Sequence, residues 1–276
     1  MTVPEESRGI DALLLPILEK LPVLSYYART RGWHYIIGWM QRFTGVWLVI
    51  AIAVHIYTLS SLQTPDVTNA KMKIPAWPIF AFLAWASSLV VGFHALNGGR
   101  LILYELFGKR NDAAMVRWTF GFSLSYAAMI GLMMIIHIQS APAAVYWLPA
   151  FFAGIVTAYA VASRIWKSRH SILWMLQRIS GAFLFIAVPA YLLFLCLNPG
   201  VGDEARAAGL RMQNVFIRIV TLAVAASALY HAGYGLFSIA ADYVPSRTAR
   251  AGMTALIVAA MAVLAFWAFR LLFTIR

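Results

Sequence analysis

The sequence predicts an all-α integral membrane protein, a seven-transmembrane helix bundle built from two three-helix parallel repeats joined by a linker helix. Composition, the number of long apolar runs, and a pair of motifs written twice predict it. Of 276 residues, 62% are hydrophobic and 12% charged, with a mean hydropathy of +0.76. That is far from the make-up of a soluble globular domain. Seven apolar stretches reach the roughly 20 helical residues needed to cross a hydrocarbon core about 30 Å thick. They lie near 35–60, 77–103, 118–139, 145–164, 173–197, 213–240 and 252–273.

Residues 1–34 come first. Their segment IDALLLPILEKLPVLSYYARTRG has leucines at near-helical spacing but is interrupted by Pro16, Glu19, Lys20 and Pro22. It reads as an amphipathic interfacial segment, with docking of a partner as the alternative. No small-residue cleavage site follows the first apolar run, so no signal peptide is expected. Residues 35–140 then form the first three-helix unit, 141–172 the linker helix, and 173–276 the second unit.

Orientation follows from the basic residues, which resist translocation near helix ends. Alternate loops place fifteen Lys and Arg on one side, among them Arg29, Arg31, Arg42, Arg164, Arg178, Arg247 and Arg250, and seven on the other. The richer side is expected to be cytoplasmic, with the N-terminus inside and the C-terminus on the external, periplasmic side of an inner membrane. Topology and anionic lipid thereby account for the net charge of +12, which gives no reason to invoke nucleic acid. With Cys196 as the one cysteine, neither an intrachain disulfide nor a cysteine-built metal site can form.

The repeat is the most informative feature. WMQRFTGVWLVI, residues 39–50, opens the first span, and WMLQRISGAFLFI, residues 174–186, opens the fifth. Gln41-Arg42 and Gln177-Arg178 are 136 residues apart, as are Gly45 and Gly181. In the next span of each unit stands a histidine followed four residues later by glycine: His94 with Gly98, and His231 with Gly235. Arginine and histidine are 52 residues apart in one unit and 53 in the other. Two units in the same orientation, related by a pseudo-two-fold axis along the membrane normal, need one extra crossing between them. The motif-free fourth span supplies it.

Such an axis places His94 and His231 facing each other. An imidazole at membrane depth pairs, binds or relays. Two opposed imidazoles suit axial ligation of a haem iron, and glycine one turn away clears space for a flat macrocycle. The alternative is two packing histidines bonded to neighbouring carbonyls or hydroxyls. Arg42 and Arg178, in the first turns of their spans, suit haem propionates, or else snorkel to the interface.

These residues resemble a family. QRFTG and FHALNGGRLILYELFG are similar to the first membrane-anchor subunit of succinate dehydrogenase and fumarate reductase, and LQRISG and YHAGYGLFSIAADYV to the second. The chain thus resembles a fusion of both anchors. The resemblance implies a b-type haem between His94 and His231. It also implies a quinone site at the cytoplasmic edge, with Tyr243 donating to a quinone carbonyl, Asp242 beside it, and Arg42 and Gln41 nearby. Partner flavoprotein and iron–sulfur subunits would dock on the cytoplasmic face, since this chain has no dinucleotide fingerprint and no cysteines for a cluster. Gly38 stands where the family often has serine, and Gln41 where many relatives have histidine. For Asp242-Tyr243 the alternative is an aromatic belt residue beside a helix-end acid.

Some relatives carry a second haem, held by a histidine thirteen residues after each arginine. His55 meets that spacing, but the second unit has Tyr191 there. His137 is another candidate, lying about 30 Å beyond Arg117 against about 20 Å from Arg42 to His55. One haem is therefore expected. The function read from all this is the haem b membrane anchor of a succinate:quinone oxidoreductase, passing electrons between an iron–sulfur partner and membrane quinone. Two alternatives are a hydrogenase or formate dehydrogenase cytochrome b and a repeat-built proton-coupled transporter. The second would call for acids at mid-membrane, where the sequence has none.

Overall fold

The structure, a computed structural model, describes residues 22–31, 33–61, 78–108, 112–136, 142–198 and 212–274, with Lys20, Thr64, Asp66, Val67, Ala70 and Leu210. Residues 1–19 of the expected interfacial segment and His137 lie outside the described residues. A short helix, α1 (Pro22–Arg31), leads into seven long ones. These are α2 (Trp33–Leu59), α3 (Pro78–Phe107), α4 (Asp112–Ile136), α5 (Ala143–Ile165), α6 (Ile172–Cys196), α7 (Val215–Tyr243) and α8 (Arg247–Thr274). Each of the seven is long and apolar enough to cross a membrane, and the chain is a multi-pass membrane protein. Among the described residues there is no strand.

The helices run a few residues past the apolar stretches at several ends, because a helix can continue into the interface after its apolar run stops. α3 has 30 residues and is about 45 Å long, so Glu105 is still helical. Gly108 then ends it with φ +66, the left-handed conformation that glycine adopts without a Cβ penalty. Side chains set three starts. Ser171 caps α6 by accepting from the Trp174 N–H at 3.2 Å. Asn214 caps α7 by accepting from the N–H groups of Phe216 and Ile217 at 2.9 and 3.2 Å. Ser246 accepts from the Ala249 N–H at the start of α8.

Four helices form the centre: α2 packs on α3, α3 on α6, α6 on α7, and α7 on α2. α4 lies against α3 and α6, and α8 lies against α7 and α2. The exception is α5, which packs on α6, α7 and α3 and has no counterpart against the other helices. At one end of α5, Trp147 joins Phe194, Ile217 and Val220 in a buried cluster. At the other, Val161 and Ile165 join Met175 and Ala182, with Ile102 and Leu106 packed on them. Tyrosines tie α4 and α5 to α6 near its internal proline: Tyr126 donates to the Pro189 carbonyl and Tyr146 to that of Ala190, both at 2.7 Å.

Small residues set how closely these helices approach. A Cβ on Gly154 of α5 would meet the Phe183 ring of α6 at 2.9 Å, closer than real contacts allow. Gly154→Val should therefore push α5 off α6 and cost about 1–3 kcal/mol. Thermal unfolding in detergent should show the loss, and Phe183→Leu in the same chain should recover part of it.

Candidate functional site

His94 on α3 and His231 on α7 face each other in the centre of the bundle, with ring centres 6.3 Å apart and planes at 86°. Each ring is seated by a glycine of its own unit. A Cβ on Gly45 of α2 would meet His94 Cε1 at 3.1 Å, and one on Gly181 of α6 would meet His231 Cε1 at 3.0 Å. The glycine of each Q-R-x-x-G motif is thus the floor on which the histidine ring lies. A Cβ on Gly235, one turn from His231, would meet nothing within 4 Å, whereas one on Gly98 would stand 3.5 Å from Gln41 Nε2.

The other edges of the rings are fixed differently. Thr44 Oγ1 lies 2.7 Å from the Met40 carbonyl and 3.2 Å from His94 Nδ1. A hydroxyl has one proton. Given to the Met40 carbonyl, it leaves Thr44 to accept from Nδ1–H, so His94 Nε2 carries the lone pair. In the second unit the corresponding hydroxyl, Ser180, donates to the Gln177 carbonyl at 3.1 Å. His231 Nδ1 is buried with no hydrogen-bond partner among the described residues, and so is Gln177 Oε1.

At one end of the bundle two arginine–carboxylate pairs cross between the halves. Arg42 on α2 meets Asp242 on α7, Nη2 to Oδ2 at 2.9 Å. Arg178 on α6 meets Glu105 on α3 through two bonds, Nε to Oε2 at 2.9 Å and Nη2 to Oε1 at 2.6 Å. Glu105 follows His94 by 11 residues and Asp242 follows His231 by 11. The pairs are therefore equivalent positions of the repeat, a signal present in the sequence that motif reading passed over.

The Arg42 pair extends into an aromatic cluster. The Arg42 guanidinium lies 5.6 Å from the Tyr243 ring centre, and Trp39 packs tilted against Tyr243 at 6.1 Å. The expected grouping of Arg42, Asp242 and Tyr243 is thus assembled, with Trp39 as an unforeseen member. The Arg42 guanidinium also folds back to donate to the Gly38 carbonyl at 3.3 Å.

Gln41 does not join this cluster. Adjacent residues on a helix diverge by about 100°, and Gln41 turns inward, donating to the His94 carbonyl at 3.2 Å and accepting from Asn97 at 2.8 Å. Asn97 in turn accepts from Arg100 Nε at 3.0 Å, and both are buried. Gln41 braces the helix that carries His94. Arg178 is likewise engaged, by Glu105 and by the Trp174 ring 4.5 Å away. Trp174 also stacks on His170 at 3.9 Å.

His55, the candidate for a second haem, is bound to Tyr191. Its Nε2 lies 2.8 Å from the Tyr191 hydroxyl, with ring centres 5.5 Å apart. These two positions are repeat equivalents, 136 residues apart. Removing the hydroxyl with Tyr191→Phe leaves a half-buried imidazole nitrogen unpaired, a loss of about 1–3 kcal/mol. It should appear as a lower melting temperature in detergent, and His55→Leu in the same chain should restore part of it.

The profile of the succinate dehydrogenase/fumarate reductase transmembrane subunit family matches residues 21–138 and, a second time, residues 157–269. Neither a curated protein nor a solved structure matches the chain.

Proposed function

Because the chain belongs to the succinate dehydrogenase/fumarate reductase transmembrane subunit family, we propose that it is the haem b-carrying membrane anchor of a succinate:quinone oxidoreductase. In this reading it passes electrons between a partner iron–sulfur subunit and membrane quinone. The observation that carries the reading is the apposition of His94 and His231. Two metal–imidazole bonds of about 2 Å, with about 1 Å more from each nitrogen to its ring centre, span about 6 Å. The ring centres are 6.3 Å apart. The tautomer inferred for His94, with Nδ1–H held by Thr44, offers the Nε2 lone pair.

A bound haem would supply a one-electron carrier between the iron–sulfur partner and quinone. The chain's own part is to hold it and to handle protons. His94 and His231 would hold its iron, and the apolar helices exclude water. Arg42 and Arg178 would balance propionate charge. Glu105 takes Nε and Nη2 of Arg178, which leaves the Nη1 donors for that purpose. One haem per chain fits, since Tyr191 engages the imidazole of His55.

The quinone end is the Arg42, Asp242 and Tyr243 cluster. Quinone reduction takes two electrons and two protons, so its carbonyl oxygens need donors. The Tyr243 hydroxyl would donate to one, and Asp242, paired with Arg42 at 2.9 Å and open to the interface, would pass protons from water. Gln41, spent on Asn97 and His94, has no part in it.

The repeat arrangement belongs to the same proposal. Each central contact has a counterpart, α2–α3 with α6–α7 and α3–α6 with α7–α2. Equivalent positions meet each other at His94 with His231 and at His55 with Tyr191, as residues on a two-fold axis must. The face with the two ion pairs would be cytoplasmic and would carry the flavoprotein and iron–sulfur partners, with the N-terminus inside and the C-terminus outside.

The purified complex should show a b-type spectrum at one haem per chain, lost in His94→Ala and in His231→Ala. Gly181→Val should lose or weaken it too, because the added methyls occupy the place of the His231 ring. Tyr243→Phe should keep the spectrum and lower quinone turnover about 10²-fold. Absence of haem from the wild type would overturn the cytochrome reading. Two haems per chain would overturn the assignment of His55.

A further inference from the structure

The repeat supplies an internal control for the quinone cluster. At the positions equivalent to Trp39 and Tyr243 the other half of the chain has Met175 and Leu106. Met175 is 7% exposed and belongs to a buried cluster with Val161 and Ile165 of α5, against which Leu106 also packs. Trp39 is 48% and Tyr243 51% exposed. The arginine and the carboxylate are kept in both halves, whereas the neighbouring pair is aliphatic and covered in one half and aromatic and open in the other. The linker helix is the physical cause, since α5 exists once and packs on α6, α7 and α3 rather than on α2, which carries Trp39.

An open flank does not by itself require rings, and leucines or valines would serve equally well against lipid. The polar edge of Trp39 is already engaged, its Nε1–H donating to Tyr35 at 3.2 Å, so the remainder of the indole is apolar π surface. That surface stands tilted at 57° to the Tyr243 ring, and the Arg42 guanidinium borders the same ring. A tilted wall of two rings with a cation and a hydroxyl at its edge suits a flat, electron-poor ring bearing carbonyl oxygens.

From this we propose that Trp39 is a specificity-determining residue of the quinone site, and that its indole favours a bicyclic naphthoquinone over a monocyclic benzoquinone. The inference rests on the quinone site proposed above. A fused second ring adds aromatic area that lies on the indole, and an aromatic pair is worth enough to change affinity about 3- to 10-fold. A tryptophan acting as an interfacial anchor would not distinguish the two ring systems.

The test uses the assembled complex with a short-tailed naphthoquinone and a benzoquinone carrying the same tail, each assayed in its downhill direction. Trp39→Leu should raise the naphthoquinone KM about 3- to 10-fold and the benzoquinone KM less than about 2-fold, with kcat nearly unchanged. Trp39→Phe, which keeps a ring, should restore most of the naphthoquinone KM. Haem content and subunit ratio check that each variant is assembled. If Trp39→Leu moves neither KM, or moves both equally, the proposal is overturned. Tyr243→Phe measured alongside separates the two levels. Lost turnover there with an inert Trp39 sinks this inference alone, and two inert variants sink the quinone site itself.

Discussion

A polar ring at membrane depth has no water to turn to, so it must be satisfied by protein or by a ligand. Two such rings lie at the centre of this bundle, and much of the surrounding structure follows from seating them. Gly45 and Gly181 are bare because the Cε1 edges of His94 and His231 lie where their side chains would be. That lets α2 close on α3 and α6 on α7, and the cross-contacts α3–α6 and α7–α2 complete the ring of helices. At the interfacial end the two ion pairs cross the same way, each joining an arginine of one half to a carboxylate of the other. Partly exposed pairs of this kind add little stability. Their geometry gives register instead, most clearly in the two-bonded pair of Arg178 and Glu105.

The linker helix breaks the equivalence. In the proposed repeat arrangement, a second unit in the same orientation requires an odd number of crossings between the halves, and the one helix provided must lie on one side. α5 lies on α6, α7 and α3, and its Val161 and Ile165 bury Met175. That α5 cluster does not extend to Trp39, Asp242 and Tyr243, which stay open. In the reading proposed for this chain, chemistry takes place on the uncovered side, and the covered side keeps its arginine and carboxylate as a clasp. A connection that topology demands thereby decides which of two similar flanks can admit a ligand.

The fold was legible because membrane crossing is written in composition and length, signals that need no knowledge of packing. Helix ends were less so: Glu105 and Asp112 are polar, yet both are helical, since an apolar window marks the hydrocarbon and not the end of the hydrogen-bonded ladder. The histidines and both motif arginines could be read from the repeat, and the Asp-Tyr pair from the family resemblance. Gln41 could not, because adjacent letters say nothing of the angle between side chains, and the residue serves Asn97 rather than the open cluster. Glu105 was hidden among apolar neighbours, although counting 11 residues from each histidine finds it. Trp39 was visible as a letter in the motif, but its exposure depends on where α5 lies, and no local pattern carries that.

The two places where repeat-equivalent residues meet differ by the reach of one side chain. At the outer place the tyrosine hydroxyl extends beyond its ring and closes on His55 Nε2 at 2.8 Å, with ring centres 5.5 Å apart. At the inner place both residues are imidazoles, whose nitrogens are part of the ring, and at 6.3 Å between centres no hydrogen bond joins them. The outer pair is therefore closed by protein alone, while the inner pair keeps a gap about two metal–nitrogen bonds wide. Within the proposed function, a tyrosine in place of a second histidine is what leaves this chain one haem site and not two.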